Sequence, residues 1–215
     1  MILEQLRQEV LESLLELPKN QLVTMSSGTV SGRDPETNLI VIKPSGFPYD
    51  KLTLSDLVVM DLDGDIIEGS RRPSSDTATH LYLYKHRPDV FGIVHTHSPY
   101  ANIFAALGKP IPPVLTAAAM LGGEIPIGGY AAVGGEDIGS EILAKIGSCS
   151  AIVMQNHGTY TLAPTVWKAT AAAVEVEEIA KVTHFALLHG DPIVLTPEQV
   201  AEFHSIYATL FGQPA

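Results

Sequence analysis

Apolar positions change period several times along the chain, and each change marks an element. Leu3, Leu6, Val10, Leu14 and Leu15 recur at helical spacing through residues 3 to 16, ahead of Pro18. Leu39-Ile40-Val41-Ile42 is a short β-branched run closed by Pro44-Ser45-Gly46. Leu57 to Leu62 reads as a strand, Asp63-Gly64 as a hairpin turn, and Ile66-Ile67-Glu68 as the returning strand. Ser74-Ser75-Asp76 opens a helix expected to run to about His86, before Pro88. Phe91 to His97 reads as a strand and Tyr100 to Leu107 as a short helix. Residues 108 to 134 are rich in Gly, Pro and Ala and carry no clear period. Glu136 to Ile146 reads as a helix, and Ala151 to Met154 as a buried strand ending at Asn156-His157-Gly158. Thr165 caps a long helix reaching about His189, stopped by Gly190, and Pro197 to about Leu210 forms a last helix.

Strands and helices alternate without a regular βαβ rhythm, and no repeat or linker divides the chain. The expectation is one α/β domain over residues 1 to 215, a layered α/β/α sandwich on a mixed sheet. Hydrophobic residues make up 46% and charged residues 17%, enough for a sizeable core. Acidic residues number 24 against 13 basic ones, a formal net charge of -11. That excludes a non-specific nucleic-acid or anionic-membrane binder, which needs a basic face. The single cysteine, Cys149, excludes an internal disulfide and a multi-thiolate zinc site. A reducing compartment, no membrane-spanning run and an amphipathic, acidic start from Met1 to Leu6 make the cytoplasm the expected location.

His95 and His97 stand two apart on an expected strand, so their side chains share one face about 6.6 Å apart. Two imidazoles at that spacing can converge on one ion at about 2.0–2.1 Å each. His157 follows another strand and precedes Gly158, where the backbone can turn tightly. Three histidines with an open position are the arrangement of a catalytic metal site. His80, His86, His184, His189 and His204 fall on expected helices and are read as solvated or satisfied locally. Asp76 has two readings: a helix N-cap, or a carboxylate beside the metal acting as ligand or proton acceptor.

Three small turns offer amides and hydroxyls to an anion. They are Ser26-Ser27-Gly28-Thr29, Lys43-Pro44-Ser45-Gly46 and Ser74-Ser75-Asp76. Arg71 and Arg72 precede a proline and read as solvated. A metal ion on neutral imidazoles, Lys43 and helix-end amides can make one positive pocket in an acidic protein.

The segments Ser27-Gly28-Thr29-Val30-Ser31, Ile42-Lys43-Pro44-Ser45-Gly46, Pro73-Ser74-Ser75-Asp76-Thr77, Val94-His95-Thr96-His97-Ser98 and Asn156-His157-Gly158 occur in this order. The ordered set resembles the class II aldolase/adducin family, over about residues 3 to 213. Among its members it is most similar to L-ribulose-5-phosphate 4-epimerase and L-fuculose-phosphate aldolase. The resemblance implies a three-layer fold with a largely antiparallel sheet, and a C4 homotetramer with active sites at subunit interfaces. It implies zinc, or Mn2+ or Co2+, on His95, His97 and His157, with Asp76 beside it. It implies a phosphorylated ketose whose phosphate meets Ser27, Gly28, Thr29, Lys43, Ser45, Gly46, Ser74 and Ser75.

Three departures separate the chain from the epimerase. Thr29 replaces a substrate-contacting asparagine. The region of the epimerase's acid/base aspartate reads Ala117-Ala118-Ala119-Met120-Leu121. Phe211, in Leu210-Phe211-Gly212-Gln213, stands where the epimerase keeps a catalytic tyrosine, leaving Tyr130 or Tyr207 as replacements beside Asp76. On these grounds the expected function is a zinc-dependent, L-fuculose-phosphate aldolase-like enzyme cleaving a ketose phosphate through an enediolate. The alternative is L-ribulose-5-phosphate 4-epimerase. Behind it stand a methylthioribulose-phosphate dehydratase and a non-catalytic adducin-like module, which lacks the histidines.

Overall fold

The computed structural model describes the backbone of residues 1–210 and the side chains of residues 1–207. Eight strands form one sheet: β1 Thr29–Arg33, β2 Ile40–Ile42, β3 Val58–Met60, β4 Ile66–Glu68, β5 Gly92–Thr96, β6 Ile127–Gly128, β7 Ala151–Met154 and β8 Gly158–Ala163. Their order is β4-β3-β2-β1-β5-β8-β7-β6. Every neighbouring pair is antiparallel except β6 with β7, so the sheet is mixed and largely antiparallel as expected.

The described helices are α1 Glu4–Lys19, α2 Thr77–His86, α3 Pro99–Leu107, α4 Thr116–Leu121, α5 Asp137–Lys145, α6 Val166–His189 and α7 Pro197–Leu210. Strand alternation sends Ile40, Ile42, Val58, Met60 and Ile93 into a core shared with Leu83 and Tyr84 of α2 and Ile138 and Ile142 of α5. The residues between them, Val41, Val59 and Val94, join a second core with Val10 and Leu14 of α1 and Val166 and Ala169 of α6. The two cores on opposite faces make the three layers.

Most expected elements stand within a residue or two of their predicted ends. The first helix continues through Pro18, which sits in its last turn, where a missing N–H interrupts only the closing bond. Two strands besides the two-residue β6 were not anticipated. β1 is Thr-Val-Ser-Gly-Arg, buried on both faces, and so shows no apolar alternation. β8 is Gly-Thr-Tyr-Thr-Leu-Ala, whose β-branched and aromatic run was the available signal. In the uncharacterised stretch before α5, a short helix and a two-residue strand form.

Candidate metal centre and anion pocket

β5 and the turn after it carry the first two histidines. His95 lies within the strand, and His97 just past its end, where its N–H donates to the Leu22 carbonyl at 3.2 Å. Their Nε2 atoms nevertheless converge to 2.9 Å, as the two-residue spacing implies. Asn156 adopts a left-handed φ of 56° in the turn between β7 and β8, and that turn delivers His157. One nitrogen of each of His95, His97 and His157 lies within 4.8 Å of the others.

Gly158 serves this cluster differently from the expectation. It does not adopt a positive φ. A Cβ there would lie 2.4 Å from the Thr96 carbonyl oxygen and about 3 Å from the His95 and His97 rings. Glycine is required by close approach, because two imidazoles and a backbone occupy the space.

The electrostatics suit a cation. His95 is buried, and its Nδ1 lies 3.0 Å from the Thr159 carbonyl oxygen. That partner accepts, so Nδ1 carries the proton and Nε2 presents a lone pair. Burial lowers the His95 pKa to about 3, and burial also lowers those of His97 and His157. All three rings are neutral at pH 7, the form that binds metal. His157 Nδ1 is buried without a hydrogen-bond partner. The donor set therefore fits a divalent ion of zinc type.

Asp76 does not act as a side-chain cap of α2. Its side chain makes no cap bond to α2, and the Ser74 hydroxyl instead accepts from the Asp76 N–H at 3.3 Å. The carboxylate turns inward, with Oδ2 3.3 Å from His95 Nε2 and Oδ1 accepting from the Tyr160 hydroxyl at 3.1 Å. Burial pushes its carboxyl up, but the charge that His95, His80 and His157 take on in acid, together with the Tyr160 hydroxyl, outweighs that, and the net shift is downward. Oδ2 stands at the edge of the imidazole cluster, within reach of His95 Nε2, where a carboxylate can act as ligand or proton acceptor.

The three turns surround this centre. A cavity of about 320 Å³ is lined by Ser26, Ser27, Gly28, Lys43, Ser45, Gly46, Ser74, Ser75, Asp76 and the three histidines, with Val133 on its rim. Backbone bonds from Ser45 N to Arg72 O at 2.9 Å and from Ser74 N to Lys43 O at 3.0 Å tie two of the turns together. Between them Pro44 and Pro73 stand opposite one another as an antiparallel bridge. Lys43 is buried, donates to the Ser26 carbonyl at 2.8 Å, and lies 5.0 Å above the Tyr49 ring. Burial lowers its pKa to about 8. It pairs with no carboxylate among the described residues, so its charge is available to a bound anion.

Some expected residues lie elsewhere. Thr29 is fully buried in β1 opposite His95, on the same face as that imidazole, and its hydroxyl has no hydrogen-bond partner and does not line the cavity. Tyr130 is 75% exposed, and neither it nor Tyr207 on α7 lines the cavity of its own chain. Phe211 lies outside the described residues. Arg71 is tied to Asp56 at 2.8 Å and stacks 4.5 Å from the Phe47 ring, rather than being free in solvent. His80 is completely buried, with Nδ1 2.7 Å from Ser31 Oγ and Nε2 without a partner. Tyr160, Thr159 and Val133 contribute without having been singled out. They come from β8 and a loop, segments whose place beside the histidines depends on sheet order.

Residues 8–184 match the model of the Class II Aldolase and Adducin N-terminal domain. The chain is 39% identical over 198 residues to the L-ribulose-5-phosphate 4-epimerase UlaF of Salmonella paratyphi C (strain RKS4594), covering 86% of each chain. Among solved structures it is similar to an L-fuculose 1-phosphate aldolase, at 30% identity and a TM-score of 0.88, covering 95% of this chain and 96% of that one. It is also similar to YgbL from Klebsiella pneumoniae, at 27% identity and a TM-score of 0.83, covering 94% and 99%.

Proposed function

This chain belongs to the class II aldolase and adducin family, and from that premise we propose that it is an L-ribulose-5-phosphate 4-epimerase working by retro-aldol cleavage and re-addition. The observation that carries the reaction class is a single cavity with two chemically distinct ends. One end holds three neutral imidazoles and Asp76, and the other holds Lys43 with the amides and hydroxyls of three turns. A ketose phosphate needs both ends. The choice of the epimerase rests on 39% identity to such an enzyme, against 30% to the aldolase structure. That order reverses the one drawn from the departures in sequence.

A divalent ion, zinc in this reading with Mn2+ or Co2+ as substitutes, supplies Lewis acidity at the carbonyl end of the substrate. The chain's own groups do the rest. Ser45, Gly46, Ser74, Ser75, Ser27 and Gly28 hold the phosphate, and Lys43 offsets its charge. Asp76 is ionised at neutral pH, and its Oδ2 takes the proton of the hydroxyl whose carbon leaves. The carbon–carbon bond electrons pass to the carbonyl end. Return of that proton accompanies re-formation of the bond on the other face of the aldehyde.

The aldolase remains the second reading, on one specific observation. Residues 116–121 form α4, in which Ala118 and Ala119 are fully buried and no side chain titrates. An acid/base group for the second aldehyde face is therefore not supplied from there. In this reading the working unit is a C4 homotetramer with interface sites. An apolar groove of about 690 Å³ along Tyr100, Val182 and Phe185 supports contact between copies. Tyr130, exposed close in sequence to the cavity-rimming Val133, is a tyrosine that such an assembly can present to a neighbour.

The test is an assay of metal-loaded enzyme on L-ribulose 5-phosphate and on L-fuculose 1-phosphate. Inversion of the first at C4 without free aldehyde is expected. Stoichiometric aldehyde release from the second, with no inversion of the first, would replace the epimerase by the aldolase.

A further inference from the structure

We propose that Tyr160 is a positioning residue: it holds one carboxylate oxygen of Asp76 so that the other faces the three histidines. The inference rests on the reading that this cavity is the reaction site and adds a residue to it. Tyr160 is fully buried in β8 and stands opposite His95 in the sheet register, so the two side chains share a face. Their rings stack with centroids 4.2 Å apart and planes 20° apart. The phenol oxygen reaches past His95 and donates to Asp76 Oδ1 at 3.1 Å. Asp76 Oδ2 is left 3.3 Å from His95 Nε2.

No other side-chain donor to the Asp76 carboxylate is found among the described residues, and α2 takes no cap bond from it. The terminal torsion of aspartate is broad and nearly two-fold, so an untied carboxylate rotates and exchanges its oxygens. The Tyr160 hydroxyl removes that freedom. Thr79, one turn into α2, lies against the same phenol oxygen and is itself buried, which fixes the hydroxyl in turn. One tyrosine thus supports the cluster twice, with its ring against a metal-ligating imidazole and its hydroxyl on the neighbouring carboxylate.

Tyr160→Phe separates the two contributions, because it keeps the ring and deletes the hydroxyl. Wild type and variant are loaded with Co2+, and metal content, visible absorption and steady-state kinetics are compared. The variant is expected to bind the same amount of Co2+ and to show altered visible bands in the absence of substrate. Its kcat is expected to fall roughly 10–100-fold, with KM within about twofold of wild type. Adding Tyr160→Phe to Asp76→Asn is expected to cost little more than Asp76→Asn alone, since the tyrosine acts through the aspartate.

Unchanged visible bands and unchanged kcat would overturn the proposal. So would losses that multiply fully in the double variant, which would mean an effect independent of Asp76. Should wild type prove inactive on every ketose phosphate, the proposed function fails, and the cobalt spectra alone still decide the role of Tyr160.

Discussion

His95 Nδ1 lies 3.0 Å from the backbone carbonyl oxygen of Thr159, on the strand next to its own. A backbone acceptor cannot be lost by side-chain mutation, so the tautomer of His95 is set by the pairing of β5 with β8. The nitrogen that faces the other two histidines is thereby decided by sheet register.

The first prediction concerns His97, which is half-buried in the cluster; a catalytic metal site has only three protein ligands. His97→Ala is expected to lose bound divalent ion and turnover together, by more than the roughly 10–100-fold that loss of a ligand's outer partner costs. Metal analysis of purified protein alongside the assay checks this. Full metal content in the variant would remove His97 from the site.

Lys43 gives a pH dependence with a definite sign. Burial lowers its pKa to about 8, so it is charged below that pH and loses its charge as pH rises through it. KM for a phosphorylated substrate is expected to be flat near pH 7 and to climb above pH 8, with kcat less affected. In Lys43→Met, KM is expected to be high throughout and to show no such rise. The linkage for folding runs the opposite way. Protonating Lys43 is harder in the folded chain, so its contribution to stability improves from about pH 8 toward the ordinary value of 10.5. A KM for wild type that stays level from pH 7 to 9 would contradict the assignment.

Gly158 is predicted to tolerate no side chain. The Cβ of Gly158→Ala would press on the Thr96 carbonyl and the His95 and His97 rings. The expected cost is about 1–3 kcal/mol of stability, with weakened metal binding because two ligands must move. Urea unfolding and chelator competition measure the two effects. A variant as stable as wild type, with its metal affinity intact, would show that the strand shifts freely.

Arg7 tests the scaffold separately from the chemistry. It is almost fully buried and donates to the carbonyls of Ile2, Leu54 and Leu57 and to Glu68 Oε1 at 2.9 Å. Arg7→Met leaves those carbonyls without their donor and is expected to cost about 3 kcal/mol. Because it lies outside the cavity, kcat of the folded variant should match wild type. A large kcat change at unchanged stability would link α1 to the site in a way the packing does not.

The histidine cluster was legible because metal binding leaves a local signature: two imidazoles on alternate positions, and a third at the end of a strand. The three serine- and glycine-bearing turns were legible as a set because each places hydroxyls and amides side by side, and the structure brings them around one cavity. Tyr160 was not legible, since its bond to Asp76 joins residues 84 apart in sequence and depends on which strands pair. Thr29 was misplaced for a related reason. It follows Gly28 in sequence, but β1 begins with it, and in the sheet it is buried beside His95 rather than exposed to the cavity. His80 was read as ordinary because helical spacing does not reveal that α2 lies with that face wholly against the sheet.

The proline bridge between Pro44 and Pro73 has a consequence for selectivity. The turn bearing Ser45 and the turn leading to Asp76 are clipped by main-chain bonds on both sides of two rings with restricted φ. The spacing between the Ser45 turn and the Ser74–Asp76 turn is thus a backbone dimension, which side-chain rotamers cannot stretch. For a ketose phosphate bound as proposed, that fixed spacing is expected to favour one number of carbons between phosphate and carbonyl, so that a sugar one carbon longer or shorter engages one end only.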